Sequence, residues 1–164
     1  MNSVILFILG ASIGSFMGVI SGRYKENLPI WSKKIMGGRS HCEFCNKQLR
    51  WFELVPVLSF VFQRGKCNSC GKWFGWRYLA IELASGLLFA FVPIVVSREF
   101  YVLSPSFYIL SVLWIFVFSV LLAVSIIDYR LRIIPDEANL SLAILGLLIT
   151  ALRPFNETAG SFMG

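Results

Sequence analysis

Long runs without a charged residue constrain the fold of this chain more than any other feature. These runs cover residues 2–22, 83–97, 100–127 and 138–152. About 20 apolar residues of α-helix, each rising about 1.5 Å, cross the hydrocarbon core of a bilayer. Residues 4–20 and 107–127 reach this length. Residues 78–96 reach it with Glu82 near one end, while residues 138–152 form the shortest candidate. We therefore predict an all-α integral membrane protein with about four transmembrane helices.

The composition agrees with this class. Of the 164 residues, 57% are hydrophobic and 15% are charged, whereas soluble domains carry about 25% charged residues. A cleaved signal peptide is the alternative interpretation of the first run, but basic residues would then precede it and a small-residue cleavage site would follow it. Here no charged side chain precedes the run, and Arg23 and Lys25 follow it. We expect a retained first helix whose N-terminus faces outside.

The basic residues are concentrated between the first two apolar runs. Eleven of the fifteen Lys and Arg residues lie in residues 23–77, together with three acids. Excess Lys and Arg in short loops marks the cytoplasmic side of a membrane. Arg130 and Arg132 follow the third run and fall on the same side, which leaves the connection 97–106 outside. The sequence predicts a multi-pass protein of the inner (cytoplasmic) membrane whose loop 23–77 faces the cytoplasm.

All four cysteines lie in an internal repeat with a period of 25 residues. They form two C-x-x-C pairs, Cys42 with Cys45 and Cys67 with Cys70. Each pair is followed by a residue that tolerates a left-handed backbone, Asn46 or Gly71, and then by a lysine. A tight turn of this kind directs two thiolates at one metal ion.

Two such turns supply four thiolates, enough for a closed tetrahedral zinc site. Disulfides and a redox C-x-x-C motif are the alternatives, but cytosolic thiols stay reduced. We predict a zinc-ribbon-like module in which structural Zn²⁺ is bound by the four cysteines: Cys42, Cys45, Cys67 and Cys70. A site with four sulfur ligands has no open position, so the metal would fold the loop rather than catalyse a reaction. His41 is not needed as a ligand.

Nine apolar or small residues, 54–62, separate the two cysteine pairs and are too few to span a bilayer as a helix. Tryptophan favours the headgroup level of a membrane, and Trp51, Trp73 and Trp76 lie nearby in the sequence. A segment at the membrane interface and a hydrophobic core for the zinc module are both open at this point.

Two smaller features concern the membrane helices. Gly10, Gly14 and Gly18 recur every four residues, a spacing that lets two membrane helices approach closely. Glu82 lies about one turn into the second membrane helix, and we expect it to pair with a basic residue such as Arg77.

Asp128 directly follows 28 uncharged residues. An ionisable residue at the edge of a membrane helix is a functional-site hypothesis by default. Asp136 and Glu137 lie at the start of the next helix, where the helix dipole favours a negative charge and so explains them. Asp128 lies at a helix C-terminus, where the dipole disfavours a negative charge. We predict a catalytic or substrate-binding role for Asp128, with Arg130 and Arg132 offsetting the unfavourable dipole; a solvated boundary residue is the alternative.

The order of these motifs resembles one family. The segments "GSFMGVISGR", "GRSHCEFCNKQL", "ELVPVLSFVFQRGKCNSCGKWFGWRYLAIEL" and "SIIDYRLRIIPD" are similar to the type IV prepilin peptidases, over at least residues 14–136. The resemblance implies a membrane aspartic endopeptidase that removes the leader from prepilins or pseudopilins, often with N-methylation from S-adenosylmethionine. It also implies that Asp128 is the first catalytic aspartate and that the four cysteines form the family's zinc-binding module.

One departure from the family is serious. The family's second catalytic aspartate lies in a G-x-G-D motif in a later helix, and these 164 residues contain no such motif. Aspartic peptide hydrolysis needs two carboxylates in different protonation states. Asp136 is unsuited as the partner of Asp128, because Pro135 and a helix start lie between the two. We therefore expect an N-terminal portion of the enzyme, as a truncated product, a split subunit or a fragment.

This interpretation sets the expected organisation and partners. The expected domains are transmembrane helix 1 (1–22), the four-cysteine module (23–77) and transmembrane helices 2–4 with the first catalytic aspartate (78–164). The partners would be a prepilin or pseudopilin, the lipid bilayer, and a separate C-terminal half or a second copy. Nucleic acid is not expected, because the lysines lie in a metal module without base-stacking context. The alternative function is a non-catalytic membrane adaptor that binds a leader or a secretion partner through its zinc module.

Overall fold

The computed structural model describes residues 2–24, 32–98 and 105–152, which form helices joined by turns. In chain order these are α1 (Ser3–Arg23), α2 (Lys33–Met36), a 3₁₀ helix (Trp51–Leu54), α3 (Leu58–Phe62), α4 (Arg77–Val96), α5 (Pro105–Leu131) and α6 (Asp136–Leu152). Within those ranges no β-strand occurs, only two isolated β-bridges. The prediction of an all-α protein is confirmed.

In the described part of the chain, three helices are long and apolar enough to cross a membrane: α1 with 21 residues, α4 with 20 and α5 with 27. The fourth predicted run forms α6, which is shorter at 17 residues. α5 continues beyond the uncharged run, past Asp128 to Leu131. The Arg132 N–H donates to the Asp128 carbonyl oxygen over 2.8 Å, and Arg132 then ends the helix with a left-handed φ of 56°.

α1 and α4 pack antiparallel through small residues. A Cβ atom placed on Gly10 would lie 2.7 Å from the Phe89 Cβ, and one on Gly14 would lie 2.7 Å from the Ser85 Cβ. No side chain fits at either position without moving a neighbour. Gly18 lies where the contact is looser, since its Cβ would meet its nearest neighbour at 3.4 Å. The predicted helix-packing role of the glycine spacing is confirmed at the first two positions.

Two hydrophobic clusters fix the direction of the remaining helices. One joins the end of α4, the start of α5 and the end of α6, through the buried residues Val92, Val96, Phe107, Leu110 and Ile149. The other lies at the opposite end of the bundle and joins the end of α1, α2 and the end of α5, through the buried residues Tyr24, Ile35 and Ile127.

These contacts place Asp128 and the segment with the four cysteines at the same end of the bundle. Asp128 follows the buried Ile127 near the end of α5. Residues 40–76, which we call the cysteine module, lead directly into the start of α4. The connection 97–106, predicted for the other side, lies largely outside the described residues.

Candidate functional site

The two C-x-x-C pairs form two turns of the same geometry. In the first, the Cys42 N–H donates to the Lys47 carbonyl oxygen and the Asn46 N–H donates to the Cys42 carbonyl oxygen, each over 2.9 Å. The same two hydrogen bonds recur at the same lengths 25 residues later. The residue after each pair has the left-handed φ that such a turn needs, 54° at Asn46 and 67° at Gly71. The sequence repeat is therefore a structural repeat.

The two turns bring their thiols into one cluster. All four Sγ atoms lie within 4.8 Å of one another, with 3.9 Å between Cys42 and Cys70 and 4.0 Å between Cys45 and Cys67. Zn–S bonds of about 2.3 Å in a tetrahedron require sulfur–sulfur distances of about 3.8 Å. A disulfide would need about 2.05 Å, and all four cysteines are free thiols. The donor set fits one metal ion with four sulfur ligands.

Local backbone amides favour the metal-binding form of one ligand. Hydrogen bonds from the backbone N–H groups of Cys70 and Ser69 lower the pKa of the Cys67 thiol to about 6. The thiolate is the form that binds a metal. His41 is exposed, and its Nδ1 lies 3.3 Å from the Arg39 carbonyl oxygen. It is not part of the cluster of four thiols.

Side chains also connect the two turns. The Lys47 Nζ donates to the Ser69 Oγ over 2.5 Å. The Asn68 Nδ2 donates to the Glu53 Oε1 over 2.9 Å, and Glu53 Oε2 accepts from the Arg50 N–H over 2.7 Å. These hydrogen bonds connect the two halves of the cysteine module in addition to the thiol cluster.

Asp128 lies in the last turn of α5 with its side chain exposed. Within residues 2–24, 32–98 and 105–152 its carboxylate has no hydrogen bond or ion pair. Arg130, which was predicted to offset the dipole at Asp128, lies in the last turn of α5. Its Nη1 donates to the Ser21 carbonyl oxygen over 3.0 Å and to that of Gly22. These carbonyls end α1 and attract a cation, so Arg130 joins the end of α5 to the end of α1.

A cavity of about 260 Å³ lies between α1, α4 and the cysteine module. Its titratable lining residues are Arg23, His41, Glu43, Glu53, Tyr78 and Glu82. The Tyr78 hydroxyl donates to the Glu43 Oε1 over 2.7 Å. Asp128 does not line this cavity. Sequence reasoning missed Glu43 and Glu53, because an acid in a polar loop is usually solvated and carries no signal.

Glu82 also lines this cavity, and it stands out in the sequence as an acid inside an apolar run. The expected pair with Arg77 was wrong, because residues five apart on a helix project about 140° from each other, whereas neighbours are three or four apart. The Glu82 side chain is 7% exposed, and its Oε2 accepts a 2.7 Å hydrogen bond from the Val57 N–H. Glu82 thus holds the segment before α3 against α4.

Comparison with known proteins identifies the family. The family model described as the bacterial peptidase A24 N-terminal domain matches residues 8–96. The protein named prepilin leader peptidase/N-methyltransferase of Bacillus subtilis (strain 168) is 44% identical over 86 residues, which are 52% of this chain and 33% of that protein. No solved structure matches the chain.

Proteins of the same name match nearly the whole chain. That of Klebsiella pneumoniae is 29% identical over 97% of this chain and 66% of its own length. That of Dickeya chrysanthemi is 30% identical over 92% of this chain and 56% of its own length. The chain thus spans between a third and two thirds of the length of these three relatives. The family model covers more than half of the chain, and the resemblance seen in the sequence is confirmed. The chain therefore belongs to the prepilin leader peptidase family of bacterial A24 peptidases.

Proposed function

We propose that this chain contributes the first catalytic carboxylate and the zinc module of a membrane aspartic endopeptidase that cleaves the leader from type IV prepilins or pseudopilins. The observation that supports this most is the state of Asp128. In a family named for leader cleavage, its carboxylate ends a membrane-length helix, is exposed and has no partner among the described residues. A carboxylate that is exposed and not bound by the described part of the chain is available to water and to substrate.

Asp128 would act as one of two carboxylates. In this chemistry one ionised carboxylate takes a proton from the attacking water, and a neutral one donates to the scissile carbonyl oxygen. The charge of one carboxylate disfavours ionisation of the other, which separates their titrations. The second carboxylate would come from a G-x-G-D segment outside these 164 residues, either in the same polypeptide or in a separate C-terminal half. Association through a second copy of the chain is the other route to a complete site.

The four cysteines would hold Zn²⁺ as a structural metal. Zinc bound there supplies a cross-link between the two C-x-x-C turns. Because four sulfurs complete the coordination, Cys42, Cys45, Cys67 and Cys70 bind the metal and take no part in hydrolysis. S-adenosylmethionine is the methyl donor that the N-methyltransferase name of the relatives implies, if this chain also supports methylation.

The proposal includes a location and a domain organisation. The excess of Lys and Arg in residues 23–77 favours a cytoplasmic position for the cysteine module in the inner membrane. Asp128, at the same end of the bundle, would then meet the leader junction at the cytoplasmic surface. The substrate's apolar helix would lie among the membrane helices of residues 1–22 and 78–164.

Co-expression with a prepilin in a host without its own prepilin peptidase tests the proposal. The full 164-residue chain is fused to the C-terminal segment of the Klebsiella pneumoniae relative that follows its match to this chain. We expect pilin of mature length from this fusion, none from its Asp128→Asn variant, and unchanged processing by its Asp136→Asn variant. Full processing by the Asp128→Asn fusion would contradict the proposal. Capture of uncleaved prepilin by every fusion, with no mature pilin, would support the adaptor instead.

A further inference from the structure

The cysteine module exposes a large apolar surface around α3. Phe62 is 82% exposed, Val61 is 61% exposed and Leu58 is 55% exposed. Trp51, in the preceding 3₁₀ helix, is 79% exposed. We call these four side chains the α3 surface. Contiguous exposed apolar side chains of this size mark a contact with a partner or with lipid, so the α3 surface needs an occupant.

The attachment of α3 shows how deep this surface lies. Val57, directly before α3, donates its N–H to Glu82, which is five residues into α4. At about 1.5 Å per residue this point is about 7.5 Å below the start of that membrane-length helix. Ser59 and Phe60 line the cavity together with Ser15 of α1, eight residues and about 12 Å from the end of α1. α3 therefore lies beside the membrane helices rather than beyond their ends.

The charged side chains around the α3 surface indicate the chemistry of its occupant. Arg50 precedes the 3₁₀ helix, and Arg64 and Lys66 follow α3; all three side chains are exposed. An apolar surface with tryptophan at its edge and flanking cations matches the boundary between acyl chains and anionic headgroups. The α3 surface lies at the depth of the membrane helices α1 and α4, where lipid surrounds a membrane protein. This position favours lipid over a second protein as the occupant.

We propose that the α3 surface is inserted into the lipid leaflet at the cysteine-module end of the bundle, with anionic headgroups bound by Arg50, Arg64 and Lys66. The module is then held on the membrane by its link to α4, by the Glu82–Val57 and Tyr78–Glu43 hydrogen bonds, and by the lipid itself. This inference does not depend on catalysis or on the proposed substrate.

Photo-crosslinking from position 62 tests the inference in the full 164-residue chain. Benzoylphenylalanine replaces Phe62, and the protein is reconstituted in bilayers of phosphatidylcholine mixed with phosphatidylglycerol. The same replacement at Phe116, an exposed residue in the middle of α5, is the control for a lipid-facing position. Both replacements keep an aromatic side chain, so we expect both variants to fold. Bound zinc is measured in each variant to confirm that the module is folded. Mass spectrometry then identifies the adducts.

We expect lipid adducts at position 62 in a yield within about threefold of that at position 116, since both side chains would face lipid. Phosphatidylglycerol adducts at position 62 should exceed that lipid's share of the bilayer by about twofold or more, and Arg64→Gln with Lys66→Gln should remove this excess. Lipid adducts at position 116 without any at position 62 would overturn the inference. Adducts at position 62 to a second copy of the chain would overturn it in favour of a protein contact.

Discussion

Glu82 accepts a 2.7 Å hydrogen bond from the backbone N–H of Val57 and thereby joins a membrane-length helix to the cysteine module. Val57 has φ 61° and ψ −51°, a conformation that is uncommon for a β-branched residue. Such a residue costs about 1–3 kcal/mol and persists only where its surroundings hold it. The buried Glu82 carboxylate is one contact that holds it here.

Replacing Glu82 should therefore destabilise the packing of the cysteine module against α4. Glu82→Leu leaves the Val57 N–H without an acceptor, and we expect it to lower the free energy of unfolding by about 1–3 kcal/mol. Glu82→Gln keeps an acceptor oxygen at the same place and should cost less. Thermal unfolding in the same detergent compares the stabilities of the two variants. Equal losses of stability would show that the Glu82–Val57 hydrogen bond does not stabilise the module.

The thiol cluster predicts how zinc content responds to substitution. Cys67→Ser removes one of four ligands, and we expect bound zinc to fall from about one per chain to near zero, with loss of module structure. His41→Ala should keep its zinc, because the imidazole lies outside the cluster. Elemental analysis of protein purified under reducing conditions gives both values. Zinc lost from the His41→Ala protein, or absent from the unsubstituted protein, would contradict a four-sulfur site.

Close packing of α1 on α4 gives a matched pair of glycine substitutions. Gly14→Ala places a methyl group 2.7 Å from the Ser85 Cβ, and we expect a loss of about 1–3 kcal/mol in stability from overpacking. Gly146, in α6, has no atom within 4 Å of its Cβ position. Gly146→Ala should be neutral or stabilise by up to about 1 kcal/mol through helix propensity. Unfolding in one detergent reports both, and equal effects would contradict the packing.

The membrane helices and the turns that carry the four thiols were predictable because both depend on local sequence. An apolar run determines a membrane helix by its length, and a C-x-x-C pair followed by Asn46 or Gly71 forms its turn within six residues. The Glu82–Val57 and Arg130–Gly22 contacts join residues 25 and 108 apart. These contacts depend on how the folded helices pack against each other, which the spacing of residues in the sequence does not reveal. The exposure of α3 was open for the same reason, since nine apolar residues suit a core or an interface equally.

Arg130 provides a test of how the end of α5 is positioned. Arg130→Ala removes its hydrogen bonds to the carbonyl oxygens that end α1, and we expect a loss of about 1 kcal/mol in stability. Cleavage by the fusion enzyme should also fall, because the turn that carries Asp128 is no longer joined to α1. Arg132→Ala is the control, since the Arg132 side chain has no hydrogen bond or ion pair among the described residues. Equal stability and cleavage in the two variants would show that Arg130 does not position this turn.

The most direct test of the account is the cleavage kinetics of the purified fusion enzyme on a prepilin, with Asp128→Asn compared with Asp136→Asn. If Asp128 is one of two catalytic carboxylates, its substitution should lower kcat by about a thousandfold or more while KM changes little, because an amide cannot move the proton. Asp136→Asn should leave both constants within about threefold of the unsubstituted enzyme, since its expected role is only at a helix start. A kcat for Asp128→Asn within about tenfold of the unsubstituted enzyme would contradict the account.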